Sequence, residues 1–164
     1  NKGQSHWVLS LDGQVDVEIR YRGYSKARAK KTMRTFEAAT GWLLGDWGRH
    51  RKLNGDCKVR HLTIYDLSET QINDRDLMDF GKWDTWSFKR ISGLYDTTVT
   101  SSNHGTMFLT AARQDDPDGL GRRSRIRVIA HETAHYWQDR SCRMSPVKKA
   151  EKMAKEFGRV FHLR

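Results

Sequence analysis

The segment H-E-T-A-H at residues 131–135 constrains this chain more than any other feature. On a helix, residues four apart lie one turn above each other on one face, so His131 and His135 can bind one metal ion together. This spacing is typical of zinc sites in which the glutamate beside the first histidine takes a proton from the water that the metal activates. No proline interrupts residues 124–138, so a helix is expected there. The pattern predicts a Zn²⁺ site, with Glu132 as the general base of peptide-bond hydrolysis.

The apolar side chains around this motif indicate a helix with two different faces. At about 100° per residue they gather on one side, and both histidines fall nearly opposite. Ordinary core histidines would share the apolar side, so we expect the face with His131 and His135 to line a cleft or meet solvent. The alternative is a pair of histidines that binds no metal. The side chains on the core side are Ile126, Ile129, Ala130, Thr133 and Trp137.

A catalytic zinc site has three protein ligands and one open position, so a third ligand is required. In the final helix, Glu151 lies about 80° from the centre of the apolar stripe and Glu156 about 140° from it, where solvated side chains are typical. Periodicity therefore favours Glu151, with Glu156 next. The downstream candidates are Asp139, Glu151, Glu156 and His162. The apolar stripe consists of Val147, Ala150, Ala154, Phe157 and Phe161.

Hydrophobic periodicity and turn residues divide the chain into strands and helices. Strands are predicted at residues 7–12, 15–21, 58–66, 97–101 and 105–111, with turns at 12–13 and 116–119. Helices are predicted at residues 26–48, 73–81, 123–139 and from the Ser145-Pro146 start signal to about 162. The fold class is therefore α+β: a small mixed sheet with a leading helix, the motif helix and a closing C-terminal helix. With 164 residues, the chain is expected to form a single domain, 1–164.

This order of elements resembles the minimal core of zincin-type metallopeptidases. The segment from Glu151 to Phe157 also has the E-x-x-A-x-x-F form seen in small gluzincins of the ImmA/IrrE type. The resemblance implies that His131, His135 and Glu151 hold Zn²⁺ and that the partner is a protein or peptide substrate. It also implies that Gly105 to Ala111 forms the sheet edge along which extended substrate lies, with an ordinary interior strand as the equal alternative.

The resemblance further implies a donor that stabilises the transition state. His104, His162 and Tyr136 are available, and the sequence does not distinguish among them. SprT-like proteases, which act on DNA-bound proteins, are a second resemblance in layout and basic charge. They use a third histidine soon after the motif, whereas residues 143–146 of this chain contain none.

The net charge of +10 favours anionic partners, including nucleic acid. A basic nucleic-acid-binding module with an accidental or inactive motif is therefore the alternative function. Two basic clusters stand out, at residues 122–127 and 26–31. For the first we expect pairing with Asp115, Asp116 and Asp118, rather than an anion site at the helix start. For the second we expect a solvated helix face.

The two cysteines, Cys57 and Cys142, are predicted to be reduced thiols, which indicates a cytoplasmic or nuclear location. No signal peptide and no apolar stretch of about 20 residues is visible, so no membrane span is expected. The chain begins at Asn1 rather than Met. A trimmed or processed start would explain this, so the sequence leaves secretion open.

Overall fold

The structure of this chain, a computed structural model, has an α+β architecture. It describes residues 7–11, 15–21, 26–55, 57, 61–67, 93–96, 104–110 and 121–162. The strands are β1 (Trp7–Leu11), β2 (Val15–Tyr21), β3 (His61–Leu67), β4 (Gly93–Asp96) and β5 (His104–Thr110). The α-helices are α1 (Lys26–Leu44), α2 (Gly121–Arg140) and α3 (Val147–His162), with a 3-10 helix at Arg49–Arg51.

The described strands form one mixed sheet in the order β1-β2-β3-β5-β4. The three central strands are parallel, and β1 and β4 run antiparallel to their neighbours. The register aligns Ile19, Ile64, Met107 and Tyr95 in one row across four strands. All four side chains are buried, so this face of the sheet forms one wall of the core.

Helix α1 contributes a second wall because its apolar residues recur at helical spacing. Its buried side chains include Ala29, Met33, Phe36, Thr40 and Leu43, as predicted. The helix ends at Leu44, four residues before the predicted end. A tight reversal follows, since a Cβ at Gly48 would lie 1.6 Å from the Leu43 carbonyl oxygen.

Helix α2 is the centre of the molecule and packs against α1, α3, β4 and β5. From Glu132 to Ser141 every residue of this helix and its cap is buried. His131 is half-buried and His135 is 8% exposed, so the histidine face does not lie in open solvent. The reason is α3, which covers the side of α2 that the sheet and α1 leave open.

A Schellman-type cap ends α2 and sets the start of α3. The N–H of Arg143 donates to the carbonyl of Gln138 (2.8 Å), and the N–H of Cys142 donates to that of Asp139 (3.1 Å). Cys142 takes the left-handed conformation that such a cap requires, with φ of 55°. The turn is short, so α3 folds back directly along α2.

Cys57 and Cys142 form a disulfide, with Cα atoms 5.8 Å apart. The prediction of reduced thiols is therefore wrong, and the argument for a cytoplasmic or nuclear location loses its premise. The bond holds the segment before β3 against the end of α2. There, Gly55 donates to the Ser141 hydroxyl (2.9 Å), and the Arg140 guanidinium donates to the Gly55 carbonyl (3.2 Å).

Most predicted elements lie within three residues of the observed ones. The stripe of α3 is correct except for Val147, which is 73% exposed because it opens the helix. β5 (His104–Thr110) lies between β3 and β4, so the interior-strand alternative for this segment is confirmed and the sheet-edge alternative is wrong. In the described sheet, the edge strand beside α2 is β4, which the sequence did not predict. The predicted elements at 73–81 and 97–101 and the turns at 12–13 and 116–119 lie outside the described residues.

None of the described helices is both long enough and apolar enough to cross a membrane.

Candidate metal centre

Three predicted ligands meet where α2 and α3 pack together. The Nε2 atoms of His131 and His135 are 3.2 Å apart. The carboxylate of Glu151 reaches both, with Oε1 at 3.0 Å from Nε2 of His131 and Oε2 at 2.8 Å from Nε2 of His135. The two histidines come from adjacent turns of α2, and the glutamate comes from the first turns of α3. This group is the only cluster of potential metal ligands of its kind among the described residues.

A glutamine fixes which ring nitrogen of His135 carries a proton. The Gln138 amide nitrogen donates to the carbonyl of Ala150 (2.8 Å), so its oxygen faces His135. Nδ1 of His135 lies 2.8 Å from that oxygen, which can only accept, so Nδ1 is the donor. In the neutral ring the lone pair is then on Nε2, the atom that faces Glu151.

The three potential ligand side chains have the chemistry that a divalent transition metal requires. A carboxylate and an imidazole lone pair are both acceptors, and at 2.8 Å they repel unless a proton or a cation lies between them. In a regular tetrahedron with zinc–ligand distances near 2.0–2.1 Å, the ligand atoms are separated by roughly 3.3 Å. The distances of 2.8 to 3.2 Å therefore fit such a site after an opening of a few tenths of an ångström. Two imidazoles and one carboxylate are also a known ligand set for catalytic zinc.

Burial disfavours the charged form of His131. Desolvation, followed by the neighbouring charge of His135, lowers the pKa of His131 to about 4. The attraction of Glu151 acts in the opposite direction but is the weaker effect. A neutral imidazole is the form that binds a metal, so at neutral pH His131 is ready to act as a ligand.

Glu132 lies beside this group but is not part of it. Its Oε1 is 3.9 Å from Nε2 of His131, and the side chain is almost completely buried. Burial, with a smaller contribution from the negative charge of Glu151, raises the pKa of Glu132 to about 8. The backbone N–H of Tyr95 on β4 donates to the carboxylate and partly offsets that rise. Gly93 leaves room for it, since a Cβ there would lie 3.1 Å from Cγ of Glu132.

The alternative ligands lie elsewhere. Asp139 is buried and accepts from the hydroxyl of Tyr95 (2.7 Å), and Glu156 forms an exposed ion pair with Arg159 (2.6 Å). His162 is half-buried near the end of α3 and is not in the cluster, and its Nε2 has no hydrogen-bond partner among the described residues.

The structure gives a different answer for each of the three candidate donors to the transition state. The Tyr136 ring is fully buried and contacts Phe36 and Trp137, so it belongs to the core. The side chain of His104 lies outside the described part of the chain. The Nε2 atom of His162 is buried, and the ring is not grouped with the three metal ligands, so its position gives no support for this role.

The basic cluster at residues 122–127 is partly described. Arg125 donates to the Thr32 hydroxyl on α1 (2.8 Å), and Arg127 is exposed. The expected aspartate partners at 115–118 lie outside the described residues. In the cluster at 26–31, Lys31 is exposed, as expected for a solvated face.

Two residues of this site were not predicted from the sequence. Gln138 follows the second histidine by three positions, and this spacing places both on one side of the helix, which is a usable signal. Tyr95 acts through its backbone, so its residue type carries no signal.

Comparison with known proteins adds no relative: no family model, curated protein or solved structure matches the chain.

Proposed function

We propose that this chain is a zinc-dependent metallopeptidase of the gluzincin type, with His131, His135 and Glu151 as ligands and Glu132 as the general base. The observation that carries the proposal is the convergence of two Nε2 atoms and one carboxylate within 3.2 Å of each other, with a second, buried carboxylate alongside. A structural site would need a fourth protein ligand, whereas three protein ligands are typical of a catalytic site.

A zinc ion held there would act as a Lewis acid that polarises the scissile carbonyl and acidifies a water molecule. The contribution of Glu132 is to accept the proton of the attacking water and to pass it to the departing amine. A base with a pKa near the working pH can do both, and burial moves this carboxyl in that direction. The N–H of Tyr95 holds the carboxylate in one orientation, which favours repeated transfer along the same path.

Strand β4 is the segment along which we place extended substrate. It is the last strand of the described sheet, and the N–H of Tyr95 brings it against Glu132. A peptide added to a sheet edge gains main-chain hydrogen bonds without regard to side-chain identity. Its scissile bond would then lie close to the catalytic carboxylate.

The test is Glu132→Gln, measured with a fluorogenic peptide library and by elemental analysis. The amide keeps the shape but cannot accept the proton, so we expect zinc to remain and hydrolysis to fall by at least about 100-fold. Glu156→Gln, a change in an exposed ion pair, is the control and should leave both unchanged. Full activity in Glu132→Gln would contradict the assignment of the base.

A second function, binding of nucleic acid, is favoured by the exposed face of α3. This face carries five cations and one exposed acid, Glu156, which is paired with Arg159. Phosphate contacts release counterions, so an affinity for DNA that falls steeply with salt and weakens in Lys148→Glu/Lys152→Glu would support it. Salt-independent or absent DNA binding would contradict it. The cations are Lys148, Lys149, Lys152, Lys155 and Arg159.

A further inference from the structure

Gln138 connects the two helices that supply the metal ligands. Its amide oxygen accepts from Nδ1 of His135 on α2, and its amide nitrogen donates to the carbonyl of Ala150 on α3. Ala150 immediately precedes Glu151, so one amide contacts the ligand of one helix and the residue next to the ligand of the other. The side chain is 1% exposed, and water therefore does not compete for either bond.

We propose that Gln138 is a positioning residue for the metal centre: it sets the tautomer and ring orientation of His135 and holds Glu151 in register with it. This inference rests on the proposed function. An amide is suited to the task because it offers one donor and one acceptor in a fixed plane. A carboxylate at this position would accept from His135 but could not donate to Ala150, and an apolar side chain could do neither.

Metal-binding histidines commonly donate their second ring nitrogen to an acceptor, and loss of that acceptor typically costs 10- to 100-fold in metal affinity. We therefore expect Gln138→Met to weaken zinc binding by about 10- to 100-fold. Methionine is close to glutamine in length and volume, so the change keeps a side chain of similar size against Met153, whose sulfur lies 3.8 Å from the Gln138 amide nitrogen. Gln138→Glu keeps the acceptor for His135 and should lose less than about tenfold.

Thr40→Val is the matched control. It removes another buried hydrogen bond of α2, the 2.9 Å bond from the indole N–H of Trp137, the residue next to Gln138. This bond lies on the α1 side of the helix, away from the metal ligands. If Gln138 mattered only for folding, Thr40→Val and Gln138→Met would have the same effect on zinc affinity.

The experiment is competition of each folded variant with a chromophoric zinc chelator, together with long-range ¹H–¹⁵N spectra of the metal-free wild type. We expect Gln138→Met to bind zinc weakly and Thr40→Val to bind like the wild type. In the metal-free wild type we expect Nδ1 of His135 to carry a proton, whether or not Nε2, which faces Glu151, is also protonated. Wild-type affinity in Gln138→Met, or an Nδ1 atom without a proton in the metal-free chain, would overturn the inference. The spectra need no variant, so they decide the matter even if Gln138→Met does not fold. A wild type that binds no zinc would instead refute the proposed function.

Discussion

The buried carboxyl of Glu132 should make the metal-free protein less stable as the pH rises. Its pKa is raised from 4.5 in the unfolded chain to about 8 in the folded one, mainly by burial. The folded state therefore binds the proton more tightly than the unfolded state between these values. The contribution of this carboxyl to the free energy of unfolding is fully present below pH 4.5 and is lost as the pH rises toward 8.

The size of the effect follows from the two pKa values. At about 1.4 kcal/mol for each pH unit, the full loss above pH 8 is about 5 kcal/mol, and at pH 7 it is about 3 kcal/mol. Replacing Glu132 with glutamine removes the titrating group and keeps the shape. The variant should then be more stable than the wild type by about 3 kcal/mol at pH 7 and indistinguishable from it near pH 4.

Urea unfolding of both proteins after chelation, at pH 4, 5.5, 7 and 8, measures this difference. His131 acts in the opposite sense, since its pKa of about 4 means that stability is lost as the pH falls from 6.5 toward 4. That contribution is present in both proteins and cancels in the comparison to first order. A stability difference that does not change with pH, or a Glu132→Gln variant less stable than the wild type, would refute the raised pKa of the buried Glu132 carboxyl.

Three further predictions concern the site and its support. His135→Ala should abolish zinc binding, because it removes one of three ligands, and retention of one zinc per chain by elemental analysis would contradict this. Cys57→Ser/Cys142→Ser should unfold with about 4–5 kcal/mol less free energy in calorimetry, because the bond closes a loop between residues 85 positions apart, and an unchanged melting temperature would contradict this. Gly93→Ala should lower kcat and cost about 1–3 kcal/mol of stability, because a Cβ would lie 2.6 Å from Cγ1 of Val128. Wild-type kinetics would show that β4 does not contact the site as described.

The described helices and the candidate metal ligands were predictable because they depend on the spacing of residues close together in the sequence. The motif puts two imidazoles on one helix face whatever the fold, and the period of α3 places Glu151 at the border of its apolar stripe. The structure brings this residue to both histidines. Metal binding by the group stays a proposal.

What the sequence did not predict depends on long-range contacts. Strand β4 has only four residues, Gly93–Asp96, without an alternating pattern, and it is defined by its pairing with β5. The partners Cys57 and Cys142 are 85 positions apart, so their proximity exists only once the end of α2 meets the segment before β3. β5 is an interior strand because β4 pairs with its other side, so the position of β5 could not be predicted without β4.

The most direct test of the metal centre is an anomalous difference map from crystals of the zinc-loaded protein, recorded at the zinc absorption edge. The account predicts one strong peak within about 2.0–2.2 Å of Nε2 of His131, Nε2 of His135 and a carboxylate oxygen of Glu151. A map with no peak between these three side chains, or with zinc held only by other residues, would contradict it.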